Sequence, residues 1–272
     1  MTANNTTNNT ANNAATSPVD WAEGEEFLKK ADARFIPFIE KYGRCTLAPL
    51  PPEKYYISLI KAMLSRGLSQ EAARVSIAAI TGKYGEAPRP EDLITNRFRG
   101  LHISGLTSGN AGLRILTEKI LEGEVPIESF PEMEDEAIIS CLRKVKGLER
   151  WTAEMFLVFV MARPDVFPAK DLPLQKGLQE FYGLAAAPKN ASVASPLTVC
   201  WMPWRTLAAW YLWQDCDERQ AAKEKARAEK RELRKRERAQ AETAPPKRKK
   251  HRRAQNAPAP SRPKIRVWRA KE

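Results

Sequence analysis

The sequence is poor in metal ligands. It has two histidines, His102 and His251, and four cysteines, Cys45, Cys141, Cys200 and Cys216, at wide and irregular gaps with no Cys-x-x-Cys pair. This argues against a structural zinc or a cysteine-ligated iron–sulfur cluster, so no metal or other cofactor is expected. Scattered thiols suggest a reducing compartment. Long apolar runs are missing too. None approaches the roughly 20 residues of a membrane helix, and no membrane association is expected. The N-terminal "MTANNTTNNTANNAAT" lacks the basic start and apolar centre of a secretory signal, and its Asn-x-Thr triplets read as incidental. Strand signals are almost absent: there is no sustained alternation and no Asn-Gly or Asp-Gly hairpin turn. The expected class is all-α.

Positive charge is scarce where a core would form. The net charge is +12 over 272 residues, but residues 217–272 hold 21 Lys/Arg against 8 Asp/Glu, while residues 1–216 hold 24 against 25. The basicity belongs to the tail, and the pI alone says nothing about whether the globular part binds nucleic acid.

What is present is helical periodicity. Residues 1–17 are Asn/Thr/Ala-rich and expected to be disordered. From Asp20 to about residue 216, apolar residues recur at helical spacings. "YYISLIKAMLSRGLSQEAARVSIAAITGKYG" reads as two helices with a break near Ser65-Arg66-Gly67. Short helices are expected over 91–98 and 138–145, apolar ones over 151–162 and 171–182, and another over 203–215. Residues 217–243 read as a separate, solvated, charged helix with Leu233 as its lone apolar candidate. Residues 244–272 are Pro-rich, basic and expected to be disordered. The cluster Lys247–Arg253 is similar to a nuclear localisation signal, and also suits salt-dependent binding to a polyanion.

One unit carries chemistry. The turn Lys146-Gly147-Leu148-Glu149-Arg150 joins two helices, and such a turn can aim backbone N–H groups outward as an anion site. Taken alone it reads as an ordinary loop. The loop "RPDVFPAKD" follows, stiffened by Pro164, Pro168 and Pro173, and ends with Asp171 at a helix N-cap. Helix dipole and N–H donors favour an ionised carboxylate there. That suits stabilising a developing cation rather than donating a proton, although an Asp before a helix is usually only a cap.

Together, "VKGLERWTAEMFLVFVMARPDVFPAKDLPLQKGLQEFYGL" resembles the helix-hairpin-helix DNA glycosylase superfamily, most of all its 3-methyladenine DNA glycosylase II branch. "ADARFIPFIEKYG", "LIKAMLSRGLSQEAA" and "WMPWRTLAAWYLW" are similar to further segments of that branch, so the likeness spans about residues 24–215. The resemblance implies two helical subdomains around a DNA-binding cleft, over residues 18–216, and a monomer acting on double-stranded DNA with damaged bases. It implies base flipping and hydrolysis of the N-glycosidic bond of an alkylated purine, with Asp171 as the catalytic carboxylate and Asp165 as a structural one. Trp151 stands where bifunctional members carry a nucleophilic lysine. A tryptophan forms no Schiff base, which implies a monofunctional enzyme. Trp151 and Trp213 match base-pocket aromatics. Lys146, Gly147, Arg150 and Thr152 match the DNA-binding hairpin, and Arg66, Gly67 and Leu68 match the segment that fills the gap left by a flipped base. Trp201, Trp204, Arg205 and Trp210 are expected to be structural. The chain differs from the pattern at Glu149, where a second hairpin glycine is usual, at Arg66-Gly67, where two glutamines are usual, at Asn110, where a lysine is common, and at Lys170 beside the aspartate. The alternative on the same fold is a DNA-binding protein without catalysis. An oxidised-base, bifunctional enzyme is disfavoured by Trp151 and by the cysteine spacing.

Overall fold

The computed structural model describes residues 19–95 and 109–243. The expected disorder of residues 1–17 and 244–272, and the basic cluster at 247–253, fall outside these residues. Eleven α-helices and no strands appear among the described residues: α1 Trp21–Ala31, α2 Ile36–Tyr42, α3 Tyr55–Gly67, α4 Gln70–Tyr84, α5 Pro90–Thr95, α6 Gly109–Leu121, α7 Asp135–Leu142, α8 Arg150–Phe159, α9 Leu172–Tyr182, α10 Ala191–Thr198 and α11 Arg205–Thr243. No helix among the described residues is long and apolar enough to cross a membrane.

Local chemistry sets many of these boundaries. Side chains of Asp20, Ser69, Asp171 and Asn190 cap α1, α4, α9 and α10 by accepting from backbone N–H groups of their first turns. Gly183, in the left-handed region at φ 64°, ends α9.

Several boundaries differ from expectation. The helix expected over 151–162 ends at Phe159, and residues 96–98 of the one expected over 91–98 lie outside the described residues. The break between α3 and α4 falls at Leu68-Ser69, because Gly67 closes α3 and Ser69 caps α4. The helix of "EDEAIISCLRKV", expected to run to residue 145, begins at Asp135 and ends at Leu142; tighter turns then bond Lys144 N–H to Cys141 O and Val145 N–H to Leu142 O. Finally, the helices expected separately over 203–215 and 217–243 are one helix, α11. No glycine or proline lies between Arg205 and Thr243 to stop it.

The chain divides into units Met1–Ala222 and Lys223–Glu272. In the second, the side chains described, over residues 223–237, are exposed, Leu233 among them, so these residues offer no buried apolar stripe of the kind a coiled coil needs. The first unit holds two apolar cores. One gathers residues of α3 to α8, including Tyr56, Leu59, Ile60, Leu116, Phe130, Leu142 and Leu157. The other gathers α1, α2, α9, α10 and the start of α11 around Phe35, Leu178, Trp201, Leu207 and Tyr211. Each fully buried Leu or Phe contributes about 1.5–3 kcal/mol of transfer free energy. The polar groups of the second core are paired: Asp32 accepts from Arg34, Tyr182 and the Trp201 indole. Trp213 packs against both cores, which places it at the seam between the two halves.

Candidate active site at the seam of two helical cores

Asp171 is the meeting point. It follows a rigid loop and is 7% exposed. Its Oδ1 accepts from Leu174 N–H at 3.0 Å and from the Trp213 indole Nε1–H at 3.0 Å. Its Oδ2 accepts from the Trp151 indole Nε1–H at 3.3 Å. Only N–H donors reach the carboxyl among these contacts, and a carboxylate that accepts without donating suits them all. Its backbone is fixed on both sides, since Asp171 N–H donates to Pro168 O and Gln175 N–H donates to Asp171 O.

The loop before Asp171 is pinned to both halves. Arg205 grips Asp165 through two nitrogens, Nε to Oδ1 at 2.6 Å and Nη2 to Oδ2 at 2.9 Å. Thr206 Oγ1 accepts from Val166 N–H and donates to Arg163 O. Arg163 in turn donates to the carbonyls of Phe130, Pro131 and Met133. Asp165 is therefore spent on holding the loop. Arg205 and Thr206 open the same helix that carries Trp213 two turns later, so one element sets both the loop and an indole donor on Asp171.

The apolar side chains around Asp171 extend beyond the expected aromatics. Trp213 packs on Phe159, ring centroids 5.1 Å apart at 35°. Phe159 is 43% exposed, unlike its apolar neighbours on α8. Trp151, Met155 and Phe159 recur at i, i+4 and i+8 and are the less buried stripe of an otherwise sunken helix. Trp151 reaches Asp171 and Phe159 reaches Trp213, so this stripe faces the site. Leu172, directly after the carboxylate, is 68% exposed. Phe159 and Leu172 were not among the expected site residues. The i, i+4, i+8 spacing of large side chains from Trp151 was the available signal, hidden because the whole run reads as core.

The hairpin residues part company. Lys146 and Gly147 lie exposed at the turn, and Gly147 sits at φ 100°, a conformation that glycine adopts without strain. The second glycine position, Glu149, has φ −83° and ψ 168°, ordinary extended backbone. A glycine there is not needed for the bend. Arg150, matched to the DNA-binding hairpin, is held within the protein: it donates to Glu136 at 3.0 Å and to Glu154 at 2.8 Å. Thr152 is 3% exposed and its hydroxyl accepts from Arg66 Nη1 at 2.9 Å, so its side chain is not displayed on the surface. Arg66 Nη2 donates to Glu149 Oε1 at 3.0 Å. Leu68 is partly buried against the first core, and Gly67 is the last residue of α3. In this structure neither Arg66 nor Leu68 projects freely as a wedge. Lys170 is exposed beside Asp171 and within electrostatic range of Glu154, whose carboxyl burial pushes up against the pull of Arg150.

Comparison with known proteins gives the same picture. No family model matches the chain. It is 32% identical over 200 residues to the alkylbase DNA glycosidase-like protein mag2 of Schizosaccharomyces pombe, covering 72% of this chain and 93% of that protein. It is 32% identical over 167 residues to DNA-3-methyladenine glycosylase 1 of the same yeast, covering 58% and 71%. Among solved structures, a DNA-3-methyladenine glycosidase from Bacillus halodurans matches with TM-score 0.63 and 28% identity, over 74% of this chain and 91% of that one. The Schizosaccharomyces pombe 3-methyladenine DNA glycosylase in complex with abasic DNA matches with TM-score 0.59 and 28% identity, over 71% and 95%. An all-α fold with two cores, a helix-hairpin-helix unit and this likeness along nearly the whole of a relative lead to one conclusion: the chain belongs to the helix-hairpin-helix DNA glycosylases, in the branch of the DNA-3-methyladenine glycosylases.

Proposed function

We propose that the protein is a monofunctional DNA glycosylase that releases alkylated purines from double-stranded DNA in base-excision repair, and that it acts as a monomer in the nucleus. The observation that carries this reading is the convergence of two indole N–H groups and a helix N-terminus on the single carboxylate of Asp171.

The chemistry follows from that geometry. An alkylated purine is cationic, and when its C1′–N bond breaks, the bonding electrons neutralise the leaving base. The sugar becomes an oxocarbenium ion, water adds to C1′, and the water's surplus proton passes to solvent. Little acid catalysis is needed. An anion fixed beside C1′ stabilises the sugar cation without having to reorganise. Three N–H donors fix the Asp171 carboxylate in place and leave Oδ2, with a single long bond, free to orient the water. The indoles have a second use, because an electron-rich ring attracts a cationic base. Trp151 carries no amine, so no Schiff base forms and the backbone is not cleaved by that route. The nuclear site rests on the basic cluster Lys247–Arg253.

The test is release of 3-methyladenine or 7-methylguanine from methylated duplex DNA by the full chain. Release by the native protein, lost in Asp171→Asn with DNA binding retained, is the expected result. DNA binding without any base release by the native protein would instead establish the noncatalytic alternative.

A further inference from the structure

The geometry points to Arg66 and Glu149 as a single DNA-responsive latch on the hairpin, in which Arg66 is a phosphate-binding residue and Glu149 sets its availability. This rests on the reading that the chain binds duplex DNA. The two residues lie 83 positions apart in sequence, on α3 and at the start of α8.

Glu149 is the N-cap residue of α8, yet its side chain makes no capping bond. It reaches instead to Arg66, at 3.0 Å. The same guanidinium holds Thr152 through its other terminal nitrogen, at 2.9 Å. Its two ends are therefore held very differently. Thr152 is buried at 3% exposure and fixed in the helix. The Glu149 side chain is 72% exposed. One nitrogen is anchored on a rigid hydroxyl, and the other is held by a solvated carboxylate through an exposed ion pair, a weak and easily opened contact.

The anchored end keeps the cation at the first turn of α8, where the helix dipole disfavours positive charge. Glu149 neutralises it there. An incoming phosphate has the charge of a carboxylate and more acceptor oxygens, and guanidinium pairs with phosphate in a forked geometry. It can take Nη2 from Glu149 while Nη1 stays on Thr152. The displaced Glu149 side chain then turns into solvent. Arg150 is committed to Glu136 and Glu154, so the other cations on the exposed turn are Lys144 and Lys146, and Arg66 adds a third that is aimed from α3. The pair carries no net charge, so the hairpin attracts DNA less firmly than a bare arginine would.

A double-mutant binding cycle tests this. The probe is a duplex with a tetrahydrofuran abasic-site analogue, read by fluorescence anisotropy against full-length native, Glu149→Gly, Arg66→Ala and doubly substituted chains. Removing Glu149 spares the phosphate the opening of an exposed ion pair, so Kd should fall by up to about fivefold at roughly 0.1 M salt. That gain should shrink as salt rises from roughly 50 to roughly 200 mM, because the exposed pair is screened. It should vanish when Arg66 is alanine. Arg66→Gln, which can still bond Thr152, replaces Arg66→Ala if the latter unfolds, with the same expectation. An equal gain from Glu149→Gly with and without Arg66 would overturn the latch, because Glu149 would then be repelling phosphate by itself. An unchanged Kd in Glu149→Gly would overturn it too. The cycle reads binding alone, so its outcome is separate from the base-release assay that tests the glycosylase reading.

Discussion

Replacing Asp171 by asparagine keeps the shape of the side chain and removes its charge, so the outcome can be worked through atom by atom. Oδ1 serves two donors, Leu174 N–H and Trp213 Nε1–H, both at 3.0 Å. The amide oxygen should take that position. Its NH2 group then faces the Trp151 Nε1–H, formerly bonded to Oδ2 at 3.3 Å, donor against donor. One hydrogen bond to a charged group is lost, at about 1.5–3 kcal/mol, or about 3–12 °C in Tm for a domain of this size. The catalytic loss is larger. A unit charge about 4 Å from the sugar cation at an effective dielectric near 20 is worth about 4 kcal/mol, which is about a thousandfold in rate. The assay is single-turnover release of methylated purine from a duplex, alongside anisotropy for DNA binding and calorimetry for folding. The expected variant is folded, binds DNA within about twofold of the native chain, and is slower by about a thousandfold. A folded variant within about tenfold of the native rate would refute the reasoning, because the anion would not be the source of the stabilisation.

Trp213→Phe keeps a ring on Phe159 and removes one indole donor from Asp171; with a hydrogen bond to a charged group worth about 1.5–3 kcal/mol, single-turnover release should slow by about tenfold or more, and an unchanged rate would show that this N–H does not orient the carboxylate. Gly24→Ala should lower Tm, because the new Cβ would lie 2.6 Å from the Trp204 ring and 2.8 Å from Leu207; overpacking of about 1–3 kcal/mol outweighs a helix-propensity gain of about 1 kcal/mol, and a raised Tm in calorimetry would contradict that balance. Burial pushes the Asp135 carboxyl above its ordinary range despite the nearby Arg163, 3.4 Å away. The folded state thus holds this proton more tightly than the unfolded chain, so the group's contribution is fullest below the ordinary value near 4 and is lost as pH rises through the raised one. The stability of the native chain relative to Asp135→Asn, from urea unfolding, should fall over that window, and a flat difference would count against a buried, proton-retaining Asp135.

Local patterns made the class and much of the site legible, because helical spacing and an N-cap are properties of neighbouring residues. Asp171 before α9, the glycine at Gly147 and the missing lysine at Trp151 could all be read in place. The directions of the two indole N–H bonds could not, since Trp151 and Trp213 lie 20 and 42 residues from Asp171 and only the packing of α8 and α11 against α9 turns them to one carboxylate. Phe159 was lost for a related reason: an apolar residue in an apolar run looks like core until the neighbouring helix leaves it bare. The same limit governs Arg66 and Glu149. Considered singly along the chain, each departs from the family pattern, one as a charge in place of an amide and the other as an acid in place of a glycine facing phosphate. In the fold they meet at 3.0 Å, and their charges cancel. A hairpin that carried Glu149 without Arg66 would present bare negative charge to DNA, and one that carried Arg66 without Glu149 would leave a cation against the positive end of α8. Each residue makes the other tolerable, so the physical unit on which DNA acts is the pair.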